Sequence, residues 1–126
     1  MYKMMLRSAL FALVLAGCTA PAPPQVQHSD TGCDLKVEFA SIGAGIDRAV
    51  LENVDALLSS DKGVSTVGRE RWGREGEITL CVATPSEADA ARLFGQVKAL
   101  FPAMTEKPLR VETHAGQRYQ APAKPP

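Results

Sequence analysis

The sequence is poor in aromatic residues and carries no excess charge. Aromatic side chains make up 6% of the 126 residues, and 14 basic residues balance 14 acidic ones. A chain without net positive charge lacks the electrostatic basis for binding nucleic acid, which depends on clustered Lys and Arg. Three cysteines and two histidines are too few and too scattered for a structural zinc site. The sequence therefore predicts no nucleic-acid partner, no metal and no cofactor.

A nucleophile paired with a base is also missing from the sequence pattern. His28 lies in a Pro-rich segment, His114 ends the last predicted strand, and no catalytic motif surrounds Ser41, Ser65 or Ser86. Covalent catalysis requires such groups within hydrogen-bond reach of each other. We therefore predict one small domain that is not an enzyme.

The N-terminus has the layout of a secretory signal, which we place at residues 1–17. Lys3 and Arg7 precede an apolar run at 10–16, which is shorter than the roughly 20 residues that span a bilayer. The run ends in Leu15-Ala16-Gly17-Cys18. This tetrad resembles the lipobox of bacterial lipoprotein precursors, an apolar residue followed by two small residues and an obligatory Cys. The resemblance implies cleavage before Cys18 and acylation of its sulfur and its new amino group.

The same resemblance implies a location. Thr19 follows Cys18, whereas in enteric bacteria Asp at that position retains a lipoprotein at the inner membrane. The expected location is therefore the periplasmic side of the outer membrane, where several acyl chains on one residue give stable anchoring. The alternative is a secretory signal without lipidation and with a chance cysteine.

Composition divides the remaining chain into three parts. Residues 18–32, which begin with the lipidated Cys, are Pro-rich and polar and predict an extended tether. Residues 33–114 carry the hydrophobic patterns of a folded domain. Residues 115–126 are dominated by Ala, Pro and Lys and predict a disordered tail.

The pattern within residues 33–114 predicts the order β-α-β-β-α-β. Alternating apolar residues or β-prone runs indicate strands at 35–40, 64–72, 78–83 and 109–113, and helical spacing indicates helices at 46–58 and 85–101. The second helix is predicted to begin with Thr84 as its N-cap, Pro85 as its first residue and Glu87 closing a capping box. Segments 54–58 and 97–101 are similar to each other, as two copies of a βαβ half would be. The arrangement resembles the ferredoxin-like α+β fold, which implies two helices on one face of a four-stranded antiparallel sheet.

Cys33 and Cys81 remain once Cys18 is lipidated. Two thiols in an oxidising compartment usually pair, and closing a loop of about 49 residues is worth up to about 4 kcal/mol. Strand parity points Cys81 away from the helices, whereas Cys33 shares parity with the helix-facing Leu35. A disulfide therefore requires the chain before Leu35 to cross towards the open sheet face. The alternative is two separate thiols, with Cys81 packed as a small apolar residue.

The segment from Arg69 to Glu77 is the most distinctive candidate for a binding surface. It holds the only Trp of the chain beside three arginines, and Trp and Arg are enriched at binding hot spots. Its acidic residues balance its basic ones, which favours a protein partner over a polyanion. We name Arg69, Arg71, Trp72 and Arg74 the hairpin patch. The alternative is an exposed hairpin with cross-strand Arg–Glu pairs and a Trp packed on the sheet.

The sequence therefore predicts an envelope lipoprotein that acts as a binding or assembly module for another envelope protein. A different reading is a domain that binds a small ligand or ion on the open sheet face or at the glycine turn 41–45. That turn joins a strand to a helix, where backbone amides can hold an anion. It lacks the third Gly of a dinucleotide fingerprint and the Lys of a P-loop, so the simpler reading is a tight turn.

Overall fold

Residues 32–126 fold into two helices and five strands. The computed structural model describes Gly17 and residues 32–126, so Cys18, the rest of the predicted signal and all of the predicted tether except Gly32 lie outside the described residues. The elements are β1 (Leu35–Phe39), α1 (Arg48–Ser60), β2 (Thr66–Trp72), β3 (Glu77–Ala83), α2 (Glu87–Leu100), β4 (Leu109–Thr113) and β5 (Arg118–Gln120).

All five strands pair antiparallel in one sheet, in the order β2-β3-β1-β4-β5. The connections β1-α1-β2 and β3-α2-β4 each pass over one intervening strand. The observed architecture confirms the predicted α+β class with two helices and an antiparallel sheet. The sheet has five strands, however, where the sequence predicts four.

One face of the sheet is buried beneath the helices. The strand residues that point to this face are fully or almost fully buried, and they pack against the apolar stripes of α1 and α2. The strands supply Leu35, Val37, Phe39, Ile78, Leu80, Val82, Leu109 and Val111, and the helices supply Val50, Leu51, Val54, Leu58, Leu93 and Val97. The alternate strand residues, such as Lys36 and Thr79, lie on the other face, which neither α1 nor α2 covers.

A charge pair joins the end of α1 to α2. The Arg92 guanidinium donates two hydrogen bonds to the Asp61 carboxylate, at 2.7 and 2.8 Å, and the Gly63 amide donates a third at 2.8 Å. The hydrogen bond from Arg92, together with that from the Gly63 amide, lowers the pKa of Asp61 to about 2. Asp61 is the C-cap residue of α1, so the pair fixes the end of one helix against the other.

Ser86, rather than the predicted Thr84, caps α2. The Ser86 hydroxyl accepts a hydrogen bond from the Asp89 amide at 3.1 Å, while the Thr84 hydroxyl donates to the Ser86 carbonyl at 2.9 Å. The Thr84 amide donates to the Asp34 carboxylate at 2.8 Å. This contact with a residue distant in sequence holds Thr84 outside the helix, so Pro85 precedes the helix and the predicted capping box with Glu87 is wrong.

The segment 115–126, predicted to be a disordered tail, contains β5 and is ordered. Ala121 is only 3% exposed and its amide donates to the Leu109 carbonyl at 3.0 Å. The Tyr119 ring stacks on Phe101 with ring centroids 6.3 Å apart. The strand could not be predicted from the composition of this segment, because only Tyr119 and Ala121 point towards the core and the hydrogen bonds come from β4.

Candidate functional site

The hairpin patch lies on β2 and on the turn that follows it. β2 forms one edge of the sheet, and all seven of its residues are exposed. The helices pack over the other strands and leave β2 without a buried side chain. Its place in the fold therefore rests on pairing with β3 over the full length from Thr66–Ala83 to Trp72–Glu77.

Trp72 lies on the open face of the sheet. It pairs with Glu77, whose neighbour Ile78 points to the helices. The indole nitrogen donates a hydrogen bond to the Thr79 hydroxyl at 3.0 Å, and the side chain remains 39% exposed. One end of the indole is therefore fixed, while a large apolar surface stays accessible to a partner.

Arg69 and Arg71 lie on the opposite side of β2, because they pair with Leu80 and Ile78 on the helix-covered face. The Arg69 guanidinium contacts the Asp55 carboxylate of α1 at 2.5 Å. Within residues 32–126, no ion pair or hydrogen bond engages the guanidinium of Arg71 or that of Arg74. The hairpin patch is therefore not one continuous face: the structure places Arg69 and Arg71 on one side of the edge strand and Trp72 on the other.

The hairpin turn after β2 is built around Gly73 and Glu77. Gly73 has φ of 69°, a left-handed conformation that favours glycine, and a Cβ at this position would collide with the Glu77 carboxylate. That carboxylate accepts a hydrogen bond from the Glu75 amide at 2.9 Å. The turn that displays Arg74 therefore has a closed, well-defined conformation.

The glycine turn at residues 41–45 packs against this hairpin turn. The Ser41 hydroxyl donates to the Glu75 carboxylate and accepts the amides of Gly43 and Gly45 at 3.1 and 3.0 Å. Two of the amides that could bind an anion are therefore already satisfied, and a carboxylate stands beside them. This arrangement favours the reading of a tight turn over that of an anion site.

A disulfide joins Cys33 to Cys81 on the open face. Their Cα atoms are 5.0 Å apart, and the two residues are 48 positions apart in sequence. The bond confirms the predicted pairing and overturns the alternative of two separate thiols. Gly68 lies opposite Cys81 on β2, so no side chain from the edge strand covers this part of the sheet.

The open face around the disulfide is shallowly concave. A depression of about 430 Å³ runs between β1, β3 and β2, and its lining includes the disulfide, Lys36, Glu38 and Glu70. On the β4 side, Lys36 contacts Glu112 at 2.6 Å. The hydrogen bond from Lys36 lowers the pKa of the Glu112 carboxyl, and the positive charges of Arg118 and Arg110 act in the same direction. The face is thus polar and close to charge balance.

The described part of the chain has neither a metal-binding cluster nor a membrane-spanning helix. Residues 32–126 contain no cluster of His, Cys, Asp or Glu able to hold a metal ion. None of the helices described here combines the length and apolarity needed to cross a bilayer. His28 and the lipobox residues Leu15, Ala16 and Cys18 fall outside the described residues, whereas Gly17 is described as exposed.

Sequence reasoning identified the hairpin patch but missed several residues that define its surroundings. Asp55 and Thr79, which hold Arg69 and Trp72, carry no signal in the sequence because each contact joins separate elements. Gly68 leaves the disulfide uncovered only because of the register between β2 and β3. Strand alternation alone could have assigned Arg71 and Trp72 to opposite faces.

Comparison with known proteins adds no functional assignment. The chain matches no protein-family model, no curated protein and no solved structure.

Proposed function

We propose that this protein is an envelope lipoprotein, anchored through Cys18, whose folded domain binds another envelope protein without catalysing a reaction. The lipobox sequence supports the anchoring, and Thr19 supports the outer membrane. The observation that carries the binding role is the exposed edge strand β2. It contributes nothing to the hydrophobic core, yet it carries the only Trp of the chain, and Arg71 and Arg74 beside it have no ion-pair partner within residues 32–126.

The order of the elements supports a ferredoxin-like assignment with one added strand. β4, β1, β3 and β2 are neighbours in the sheet in that order, and two helices cover one face, as in the split βαβ arrangement. β5 extends this sheet beyond β4. Many unrelated functions use this architecture, so the proposed role rests on the surface of β2 and not on the fold.

The test of partner binding is a crosslinking capture from detergent-solubilised envelope with the lipidated protein as bait. We compare the unaltered chain with a double variant, Arg71→Ala and Trp72→Ala. Arg118→Ala is the matched control, because Arg118 is an exposed arginine on the opposite edge strand. We expect one specific protein with the unaltered and control baits and its loss with the double variant.

Three outcomes decide this test. Loss of capture supports the role only if the double variant unfolds at the same temperature as the unaltered chain. Undiminished capture by the folded double variant would remove the hairpin patch as the contact. Recovery of bait alone from every sample contradicts the assembly role.

Anchoring is tested separately. The unaltered chain is expected in the membrane fraction with a radiolabelled fatty acid attached, and Cys18→Ser is expected to lose the label and leave the membrane. A Cys18→Ser chain that keeps the label would contradict lipidation at this residue.

A second candidate function is binding of a small ligand on the open sheet face, which the concave surface around the disulfide favours. A ligand that binds the folded state raises the melting temperature as its concentration exceeds its Kd. A thermal-shift screen with small charged metabolites and metal ions tests this function. A concentration-dependent rise that Lys36→Ala abolishes would favour it over partner binding, and a flat screen would count against it.

A further inference from the structure

The hydrogen bonds of the sheet show which backbone groups of β2 point outwards. The His114 amide donates to the Asp34 carbonyl and the Ala40 amide donates to the Pro108 carbonyl, both at 3.0 Å. The Asp34 carbonyl, the Ala40 amide and the backbone groups of the even-numbered residues between them therefore point towards β4, whereas the Asp34 amide, which precedes the strand, donates to the Val82 carbonyl of β3 at 3.0 Å. In an antiparallel sheet these groups alternate between the two neighbours of a strand, so the odd-numbered residues of β1 bond to β3.

The same alternation carries across the sheet to β2. β3 residues Ile78, Leu80 and Val82 face odd-numbered β1 residues, so the intervening residues of β3 bond to β2. These are the partners of the even-numbered residues in β2. The amide and carbonyl groups of Val67, Arg69 and Arg71 consequently point to the free edge of the sheet. No backbone hydrogen bond within residues 32–126 occupies these outward groups.

The free edge has the form of a template for another strand. Its pairing with β3 is continuous over seven residues, without a bulge, and β2 contains no proline. Bulges and prolines are common devices that prevent an edge strand from pairing further. An extended segment that adds to such an edge gains main-chain hydrogen bonds, while alternate side chains give specificity.

The charges along this edge indicate the kind of segment that fits. Val67, Arg69 and Arg71, whose backbone groups point outwards, carry their side chains on the helix-covered side of the sheet. There Arg69 forms an ion pair with Asp55, and the Arg71 guanidinium has no ion-pair partner within residues 32–126. Side chains directly opposite each other on paired strands interact, and opposite charges stabilise the pair. A segment with acidic residues opposite Arg69 and Arg71 complements this edge.

We propose that β2 binds an extended, acidic segment of another protein as an additional strand of the sheet. The inference rests on the proposed function and specifies how the partner is recognised. A second copy of this chain fits less well. If two copies of β2 paired antiparallel over their full length, the two-fold axis would pass beside Arg69, and Arg69 would face Arg69 of the other copy. If the axis passed beside Glu70 instead, Arg69 would face Arg71.

The test uses the isotopically labelled full chain and a synthetic heptapeptide, Thr-Glu-Thr-Glu-Thr-Val-Thr. Antiparallel pairing places its two glutamates opposite Arg71 and Arg69 and its valine opposite Val67. The control peptide has lysine in place of both glutamates. By NMR we expect saturable shifts that are largest at the amides of Val67, Arg69 and Arg71, with the control at least about tenfold weaker.

Two variants at one position separate main-chain from side-chain recognition. Arg71→Ala removes the guanidinium and keeps the outward amide, whereas Arg71→Pro removes both and leaves the ladder with β3 intact. We expect the proline variant to bind the peptide at least about tenfold more weakly than the alanine variant. Equal binding by the two folded variants would overturn strand addition, and an amide spectrum like that of the unaltered chain verifies folding.

The remaining outcomes are also decisive. Absence of saturable shifts at millimolar peptide overturns strand addition, yet it leaves the proposed function standing if envelope capture still depends on Arg71 and Trp72. Peptide binding together with failed capture overturns the envelope role and retains the recognition mode. Shifts at the same three amides that depend on protein concentration without peptide would identify a second copy as the occupant and overturn the proposal.

Discussion

At one edge of the sheet, β2 exposes all seven of its residues, whereas at the other edge the three-residue β5 packs Tyr119 against Phe101. The chain after β5 buries Ala121, and its Pro122 carbonyl and Lys124 amide both bond to the backbone of Thr105 at 2.9 Å. β5 is therefore held both by pairing with β4 and by the packing of Tyr119 and Ala121. β2 buries no side chain and is held by backbone pairing with β3 and by the exposed contact of Arg69 with Asp55, and β3 is in turn tied to the start of β1 by the disulfide.

This difference shows which edge of the sheet is available to bind a partner. Edge strands with free backbone groups promote unwanted association, and proteins usually shorten or cover them. In this chain β5 is short and the segment after it pairs with Thr105, whereas β2 is long and open. The asymmetry is the physical basis for assigning partner binding to β2, and the following predictions test it.

Removing the disulfide is expected to have the largest effect, because it ties β3, the strand that pairs with β2, to the start of β1. Replacing Cys33 and Cys81 by alanine is predicted to lower the free energy of unfolding by about 4 kcal/mol. Urea denaturation of the oxidised chain, the reduced chain and the double variant measures this loss. A loss below about 1 kcal/mol in both the reduced and the double-variant chain would show that strand pairing alone holds this side of the sheet.

Deleting residues 117–126 opens the second edge. We expect the free energy of unfolding to fall by about 2–4 kcal/mol, because the core loses Ala121 and the Tyr119 ring and β4 loses its hydrogen-bond partner. Urea denaturation measures the loss, and a chain that lacks only residues 125–126 is the control. An unchanged denaturation midpoint after the longer deletion would contradict the idea that burial holds this edge.

The pair of Asp61 and Arg92 joins the helices away from both edges, and it predicts a loss of stability in acid. The folded pKa of Asp61 is about 2 against an ordinary value of 3.8. Its contribution is therefore complete above about pH 4 and is lost as the pH falls towards 2. Denaturation midpoints measured from pH 5 to pH 2 should fall more for the unaltered chain than for Asp61→Asn. Parallel curves would show that this pair does not contribute.

Truncating Trp72 is expected to have the smallest effect on stability. Trp72→Ala should lower the free energy of unfolding by about 1 kcal/mol or less, since the indole is 39% exposed and its one hydrogen bond is to Thr79. Thermal denaturation checks this, with Tyr119→Ala on the β5 edge as the comparison that should lose more. If Trp72→Ala were the more destabilised variant, the indole would be a packing residue rather than a binding one.

The sequence predicted the elements whose burial is periodic. β1, β3 and β4 alternate apolar and polar residues, and α1 and α2 carry apolar stripes, so local pattern and tertiary burial agree. It did not predict Leu93 as a core residue of α2, nor Ser86 as its cap. Both depend on how α2 sits on the sheet. β5 was not predicted because a three-residue strand has too short a pattern to be recognised among alanines and prolines.

The sequence likewise predicts some features of the candidate site and not others. Composition identified Trp72 and its neighbouring arginines as unusual. The separation of Arg71 from Trp72 onto opposite faces follows from strand alternation. The contacts of Arg69 with Asp55 and of Trp72 with Thr79 do not, because they join residues from different elements.

The α+β class, the two cysteines available for the disulfide and the unusual composition of the hairpin patch were predictable from the sequence, because these follow from local pattern and residue type. The tertiary structure was needed to show that β2 is a long, open edge and that β5 is a short one whose continuation pairs with Thr105. It also decided that the chain before Leu35 reaches Cys81 and that Val67, Arg69 and Arg71 direct their backbone groups outwards. The physical reason is that strand order and register are set by pairing between distant segments, which no local pattern encodes.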